Sequence, residues 1–173
     1  MHDFQKNIES CKGMLDVLNI PYAKNITFRV NNRWTSKLGQ CAKRGDQYTI
    51  EIAAKLLDDR TPVYSLCQTI LHELLHSCEG CMDHTGLWKE YAGRVNKAYD
   101  LHISRLTSRE ESGVPQELEK PYKYKMVCPH CGTEYKRYRM TDAFRFPDRF
   151  NCGKCRKSMA GAKRYKILIP NKK

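Results

Sequence analysis

The chain has 173 residues, 40% of them hydrophobic, which suits one domain of about 120 residues plus a small module rather than a single large core. No apolar run approaches the ~20 residues that span a bilayer. The start Met1-His2-Asp3-Phe4-Gln5-Lys6 lacks the basic-then-apolar order of a secretory signal, so the expectation is a cytoplasmic protein with no membrane partner. Nine cysteines, two pairs of them at metal-binding spacing, fit a reducing compartment better than an oxidising one, where the other five would mispair. Charge is divided unevenly. Residues 1–119 carry 15 Lys/Arg and 16 Asp/Glu, net −1, whereas residues 120–173 carry 16 and 3, net +13. Four thiolates on one Zn²⁺ would leave that last block at about +11, which is the electrostatic footprint of a protein that meets a polyanion.

In chain order, the spacing of Phe4, Ile8, Cys11, Leu15 and Leu18 predicts an amphipathic helix over residues 3 to 18, stopped before Pro21. Residues 26 to 30 alternate as a strand ending at the Asn31-Asn32 turn signal. Two more strands are expected near 38 to 43 and 47 to 52, joined by Arg44-Gly45-Asp46, with Ile50 and Ile52 facing the core and Thr49 and Glu51 facing out. Together these read as a small antiparallel sheet.

The next helix opens at Thr61-Pro62, read as an N-cap followed by proline at the first helical position. Val63, Leu66, Cys67, Ile70, Leu71, Leu74 and Leu75 give it a wide apolar stripe. That stripe is interrupted by His72-Glu73-Leu74-Leu75-His76. Histidines four apart share a helix face and can point at one metal ion, and Glu73, about 100° round, can take a proton from a water there. A catalytic zinc needs three protein ligands and one open position, so the pair needs a third. His84 is the candidate, brought back by the Glu79-Gly80 break; Asp83 is the alternative. Cys78 and Cys81 form a CxxC between these histidines, but thiolates there would close the site, so they are read as buried structural thiols.

A further helix is expected from about His84 to Leu101, with Leu87, Tyr91, Val95 and Ala98 as its stripe and Trp88 placed to pack under the His84 imidazole. The polar stretch from Thr107 to Pro115 reads as a linker. Beyond it, Cys128-Pro129-His130-Cys131 and Cys152-Gly153-Lys154-Cys155 have zinc-ribbon spacing, with four thiolates closing one structural site that a module with little core needs in order to fold. His130 is read as a spectator, and His2 and His102 as solvated. Aromatic residues interleave with Lys and Arg around the knuckles, most densely at Tyr135, Lys136, Arg137, Tyr138 and Arg139. Rings that stack on bases beside cations that pair with phosphates are the ingredients of single-stranded nucleic-acid binding.

The HExxH segment, the third histidine with an aromatic four residues on at Trp88, and the terminal pair of CxxC knuckles together resemble the SprT-like family (Spartan-type zinc metallopeptidase domain with a C-terminal zinc ribbon). The resemblance covers most of residues 26 to 160. It departs at Thr85, where the family usually has Gly directly after the third histidine. The resemblance implies a water-activating Zn²⁺ on His72, His76 and His84, Glu73 as general base, and cleavage of proteins associated with or crosslinked to DNA.

The reading is therefore an α+β chain. It has a small zincin-like metallopeptidase domain over 1–105, with helix, antiparallel sheet, HExxH helix and third-His helix in order. A linker over 106–121 and a zinc ribbon over 122–169 follow, with two Zn²⁺ per chain. The expected partners are a protein substrate and DNA or RNA. The competing class is a non-enzymatic, zinc-stabilised nucleic-acid-binding protein of transcription or packaging.

Overall fold

The computed structural model describes residues 1–105, 111–119 and 121–167. The chain divides into two compact units, Met1–Glu119 and Lys120–Lys173, and both elements and core are mixed α and β.

The first unit opens with α1, Phe4–Val17, capped by Asp3, whose carboxylate accepts from the Lys6 amide at 3.0 Å. Ile8, Cys11 and Leu15 of its apolar stripe are buried. Strands β1 (Ile26–Asn31), β2 (Gly39–Arg44) and β3 (Gln47–Ala53) follow. Gly45, with φ of 59°, takes the first position of the two-residue turn between β2 and β3, a conformation L-residues resist.

The sheet is mixed, which corrects the antiparallel expectation. Its order is β1-β3-β2, with β3 antiparallel to β2 and parallel to β1. The cause lies in β3, which carries the deepest side chains of the sheet, Ile50 and Ile52 at 0% exposure. The most apolar strand takes the centre, and its hairpin partner β2 is pushed to an edge.

Helix α2 spans Val63–Leu75 and lays Leu66, Ile70, Leu71, Leu74 and Leu75 into the core with β3 and α1. Its start differs from expectation. Pro62 holds the cap position, Val63 is exposed, and the Thr61 hydroxyl instead donates to the Lys55 carbonyl at 2.8 Å. Helix α3 spans Gly86–Tyr99. Its buried face is Trp88, Ala92 and Val95, so the stripe is centred on Trp88, and Leu87 points out.

Residues 111–119 do not behave as a linker. Ser112, Val114 and Glu119 are buried, and Val114 joins the first unit's core. Lys55 closes a buried ion pair with Glu119 at 2.6 Å. Breaking such a pair from one side costs about 3–5 kcal/mol because a charge is left stranded. Residues 106–110 and 120 of the expected linker, and 168–169 of the expected ribbon, lie outside the described residues.

The second unit is a three-stranded antiparallel sheet of order β5-β4-β6, from Tyr124–Val127 (β4), Glu134–Arg137 (β5) and Lys163–Lys166 (β6), with a short helix α4 at Asp142–Arg145. Its buried core is small: Met126, Phe144, Met159 and Ala162, with Cys128 and Cys152. Among the described residues no helix is long and apolar enough to cross a membrane.

Candidate metal centres

Two clusters of metal-ligating side chains stand out among the described residues, one in each unit. In the first, α2 supplies His72 from its last turn, and His76 sits at the helix's C-terminal cap. The chain then turns at Gly80, whose φ of 74° glycine adopts without the strain other residues would carry, and returns through the buried Cys81 to His84. His84 therefore lies on the loop before α3, not on the helix as expected. The Nε2 atoms of His72, His76 and His84 stand 3.3, 3.0 and 3.0 Å apart. A tetrahedral zinc with Zn–N bonds of ~2.0–2.1 Å has ligand–ligand edges of about 3.3–3.4 Å, so three facing imidazoles at this spacing fit a His₃ metal set.

The tautomers agree with that fit. His76 Nδ1 donates to the Cys81 carbonyl at 2.8 Å, which leaves its Nε2 lone pair facing the other two rings. The Ser104 main chain serves His72 in the same way. Burial holds all three imidazoles below their ordinary value, and His72, with the charges of its two neighbours added, is pushed to about 3. They are neutral and ready to ligate at pH 7. Trp88 packs against all three, with ring centroids 4.9, 5.6 and 4.7 Å from His72, His76 and His84. Its own N–H is buried without an acceptor among the described residues, so this indole is held for its faces and edge.

Glu73 is 6% exposed and lies against the edge strand β2. A Cβ built on Gly39 would come within 2.6 Å of Glu73 Oε1, so glycine there makes room for the carboxylate. Burial pushes the Glu73 carboxyl up to about 8, opposed by a hydrogen bond from the Cys41 main-chain N–H and by the charge of Lys37. Beside it opens a cleft of about 730 Å³, with α2 from Ser65 to Glu73 as one side and residues 36–39, 102–105 and 111–112 around it. Asp83 is exposed and outside the ligand set, and Cys78 and Cys81 are buried thiols that do not join it. Burial pushes the Cys78 thiol up to about 12, the opposite of an activated ligand. His2 is not solvated, since its Nε2 bonds the Thr61 carbonyl at 2.7 Å, and His102 lines the cleft.

Sequence reasoning missed Gly39, Cys41 and Ser104, which position Glu73 and His72. These act through the main chain or through a missing side chain, from strands and loops distant in sequence, so residue type carried no signal for them.

In the second cluster the four thiols of Cys128, Cys131, Cys152 and Cys155 converge, with Sγ–Sγ separations of 3.8 Å for Cys128–Cys155 and 3.6 Å for Cys131–Cys152. Zn–S bonds of ~2.3 Å require edges near 3.8 Å, so this set fits a closed Cys₄ site. Main-chain bonds shape the two knuckles alike. Gly132 N–H donates to the Cys128 carbonyl at 3.1 Å, and Arg156 N–H to the Cys152 carbonyl at 2.9 Å. The Cys155 amide and the Tyr135 hydroxyl lower the Cys152 thiol to about 5, the thiolate form that a metal takes. Tyr135 is thereby committed to the knuckle: its oxygen lies 3.0 Å from Cys152 Sγ and accepts from Gly153 N–H. Tyr138 stacks on Tyr122 with centroids 4.5 Å apart, while Lys136, Arg137 and Arg139 are exposed. His130 is exposed and outside the Cys₄ group.

Three converging histidines at the end of α2 and four converging cysteines in the second unit make this an α+β chain with two groups that could hold metal ions. The SprT-like family model matches residues 8–109, and the chain belongs to that family. No curated protein matches the chain.

Proposed function

We propose that this chain is a zinc metallopeptidase acting in the cytoplasm on proteins associated with nucleic acid, DNA–protein crosslinks among them, with the basic ribbon supplying affinity for the nucleic acid. The observation that carries the peptidase half is the triangle of His72, His76 and His84 Nε2 atoms beside the buried Glu73 at the edge of an open cleft. Zinc held there would polarise a water and a peptide carbonyl.

The chain's own residues do the rest. Glu73, in the carboxylate form that the positive charge of a bound Zn²⁺ would favour against the upward push of burial, accepts the water's proton and passes it to the leaving amine nitrogen. Cys41 N–H and the bare Cα of Gly39 fix that carboxylate's position. The Cys81 and Ser104 main chains aim His76 and His72. A zinc with a purely structural role has no use for a buried carboxylate at its side, which favours the enzyme over the binding-protein alternative.

The nucleic-acid half rests on the net +13 of residues 120–173 and on where cations and rings emerge. Lys136, Arg137 and Arg139 are exposed beside Tyr138, and all of β6, Lys163–Lys166, is exposed. Tyr165, Phe146 and Phe150 are 41–49% exposed, and Arg149 lies 4.7 Å over the Phe146 ring. Tyr138 remains in the proposed face with these cations, whereas Tyr135 supports the fold beneath it.

The test compares the zinc-loaded wild type with Glu73→Gln for cleavage of a DNA-bound protein and of the chain itself, with and without DNA. Cleavage should vanish in the variant while zinc content stays at two per chain. Loss of one zinc in Glu73→Gln would make the residue a ligand and overturn the mechanism.

A further inference from the structure

Among the described residues, two cations line the cleft beside His72, Lys37 and Arg105, and they are used differently. Lys37 is committed. Its Nζ donates to Gln40 Oε1 at 2.7 Å, it lies 5.0 Å over the Trp34 ring, and its charge falls on Glu73. Arg105 is exposed and makes no hydrogen bond or ion pair among the described residues. Its backbone is nevertheless tied to the site through the preceding residue. Ser104, one residue before it, binds His72 through the main chain, and the Arg105 charge reaches His84. An uncommitted guanidinium therefore lines the same cleft as His72 and Glu73, near enough for its charge to bear on His84. Guanidinium is always charged and offers donors in a planar fork suited to oxygen anions.

We propose that Arg105 is a further catalytic residue, its guanidinium donating to the carbonyl oxygen of the scissile peptide as that oxygen becomes an anion. The inference rests on the peptidase reading above. As the water oxygen bonds to the carbonyl carbon, the C=O π pair moves onto the carbonyl oxygen and the water's proton goes to Glu73. Arg105 holds the resulting negative charge. The pair then returns, the C–N bond breaks, and the proton on Glu73 passes to the amine nitrogen. Donors aimed at charge that develops only in the transition state raise kcat rather than tighten substrate binding.

The experiment uses full-length, zinc-loaded wild type, Arg105→Ala and Arg105→Lys. It measures peptide cleavage and, by calorimetry, the affinity for a phosphinic peptide whose anionic oxygens imitate the tetrahedral species. Arg105→Ala should lower kcat by about 10²–10³ with KM changed by less than about threefold, and weaken the phosphinic peptide by about 10². Zinc content should equal the parent's, and added guanidinium at millimolar concentration should restore part of the activity.

Unchanged affinity for the phosphinic peptide, a loss confined to KM (which would assign Arg105 to an acidic substrate side chain), or loss of zinc overturns the proposal. If the wild type binds the phosphinic peptide through Arg105 yet cuts nothing, the peptidase reading falls and the anion-binding role of Arg105 survives. If the wild type cuts and Arg105→Ala cuts equally well, only Arg105 falls. A wild type that neither binds nor cuts removes both.

Discussion

The two metal centres are built on opposite plans. The histidine site grows out of a core that exists without it. Its ligands are aimed by the Cys81 and Ser104 main chains, backed by Trp88, and mounted on a helix that buries five large aliphatic side chains. The cysteine site has little behind it beyond Met126, Phe144, Met159 and Ala162, and two of its own ligands are counted in that core. On the proposed reading, the protein would organise the metal in the first unit, and the metal would organise the protein in the second. Openness would follow the same division, since a zinc held by three imidazoles beside a cleft would keep a coordination position free while one held by four thiolates would keep none.

The sharpest way to break this contrast is to remove one ligand from each site. His84→Ala should lose one zinc and leave the first unit's cooperative melt in place, because that core does not depend on the ion. Cys152→Ser should lose the other zinc and unfold the ribbon, for which metal binding supplies about 10–16 kcal/mol in small structural sites. Trp34 and Trp88 both lie in residues 1–119, so tryptophan fluorescence follows the first unit alone and zinc analysis follows both. A first unit that unfolds in His84→Ala would erase the distinction.

A smaller effect separates the two kinds of tyrosine in the ribbon. Tyr165→Ala should weaken binding of a single-stranded oligonucleotide to the full chain by about 1–3 kcal/mol and leave zinc retention alone. Tyr135→Ala should loosen zinc in a chelator competition, because its hydroxyl stands against Cys152. Exchange of these two outcomes would return Tyr135 to the binding face.

The preformed histidine site also predicts a pH signature for zinc-stripped protein. Glu73, raised from 4.5 to about 8, binds more proton folded than unfolded, so its contribution falls as pH rises through that interval. His72, lowered from 6.5 to about 3, binds less proton folded than unfolded, so its contribution rises with pH up to about 6.5. Above that point Glu73 acts alone among the four site residues. The tryptophan-monitored melt should show about 1–2 kcal/mol more stability at pH 6.5 than at pH 8. Equal stability at the two values would mean that water reaches the carboxylate.

The smallest effect lies within the ribbon's near-symmetry. Gly132 and Arg156 hold the same place in the two knuckles, with φ of 69° and 62°. A side chain in that conformation costs about 1–2 kcal/mol, part of which glycine gives back as unfolded-chain entropy. Arg156→Gly should therefore stabilise the ribbon by up to about 1 kcal/mol in urea, and a destabilised variant would show that the Arg156 side chain holds the knuckle.

The elements and the convergence of the three histidines and of the four cysteines were legible in the sequence, because periodicity and ligand spacing are local properties. What escaped it is non-local. The parallel pairing of β1 with β3 depends on which strand wins the sheet's centre. The docking of residues 111–119 depends on Lys55 meeting Glu119 from 64 positions away. Trp88 does touch His84, but across a loop and not along a shared helix face, so the contact was expected for a reason the structure replaces. Tyr135 read as a surface ring because its partner thiol lies 17 residues further on.

Helix α2 ends at Leu75, and the loop that follows gives His76 its proton acceptor through the carbonyl of Cys81. A main-chain oxygen is supplied by every amino acid, so over evolutionary time the residues between the second and third histidines are free to drift in identity wherever packing allows. Their number is not. Removing or adding one residue between 77 and 83 would carry that carbonyl away from Nδ1 and displace His84 from the other two ligands together, so this short loop tolerates substitution far more readily than it tolerates indels.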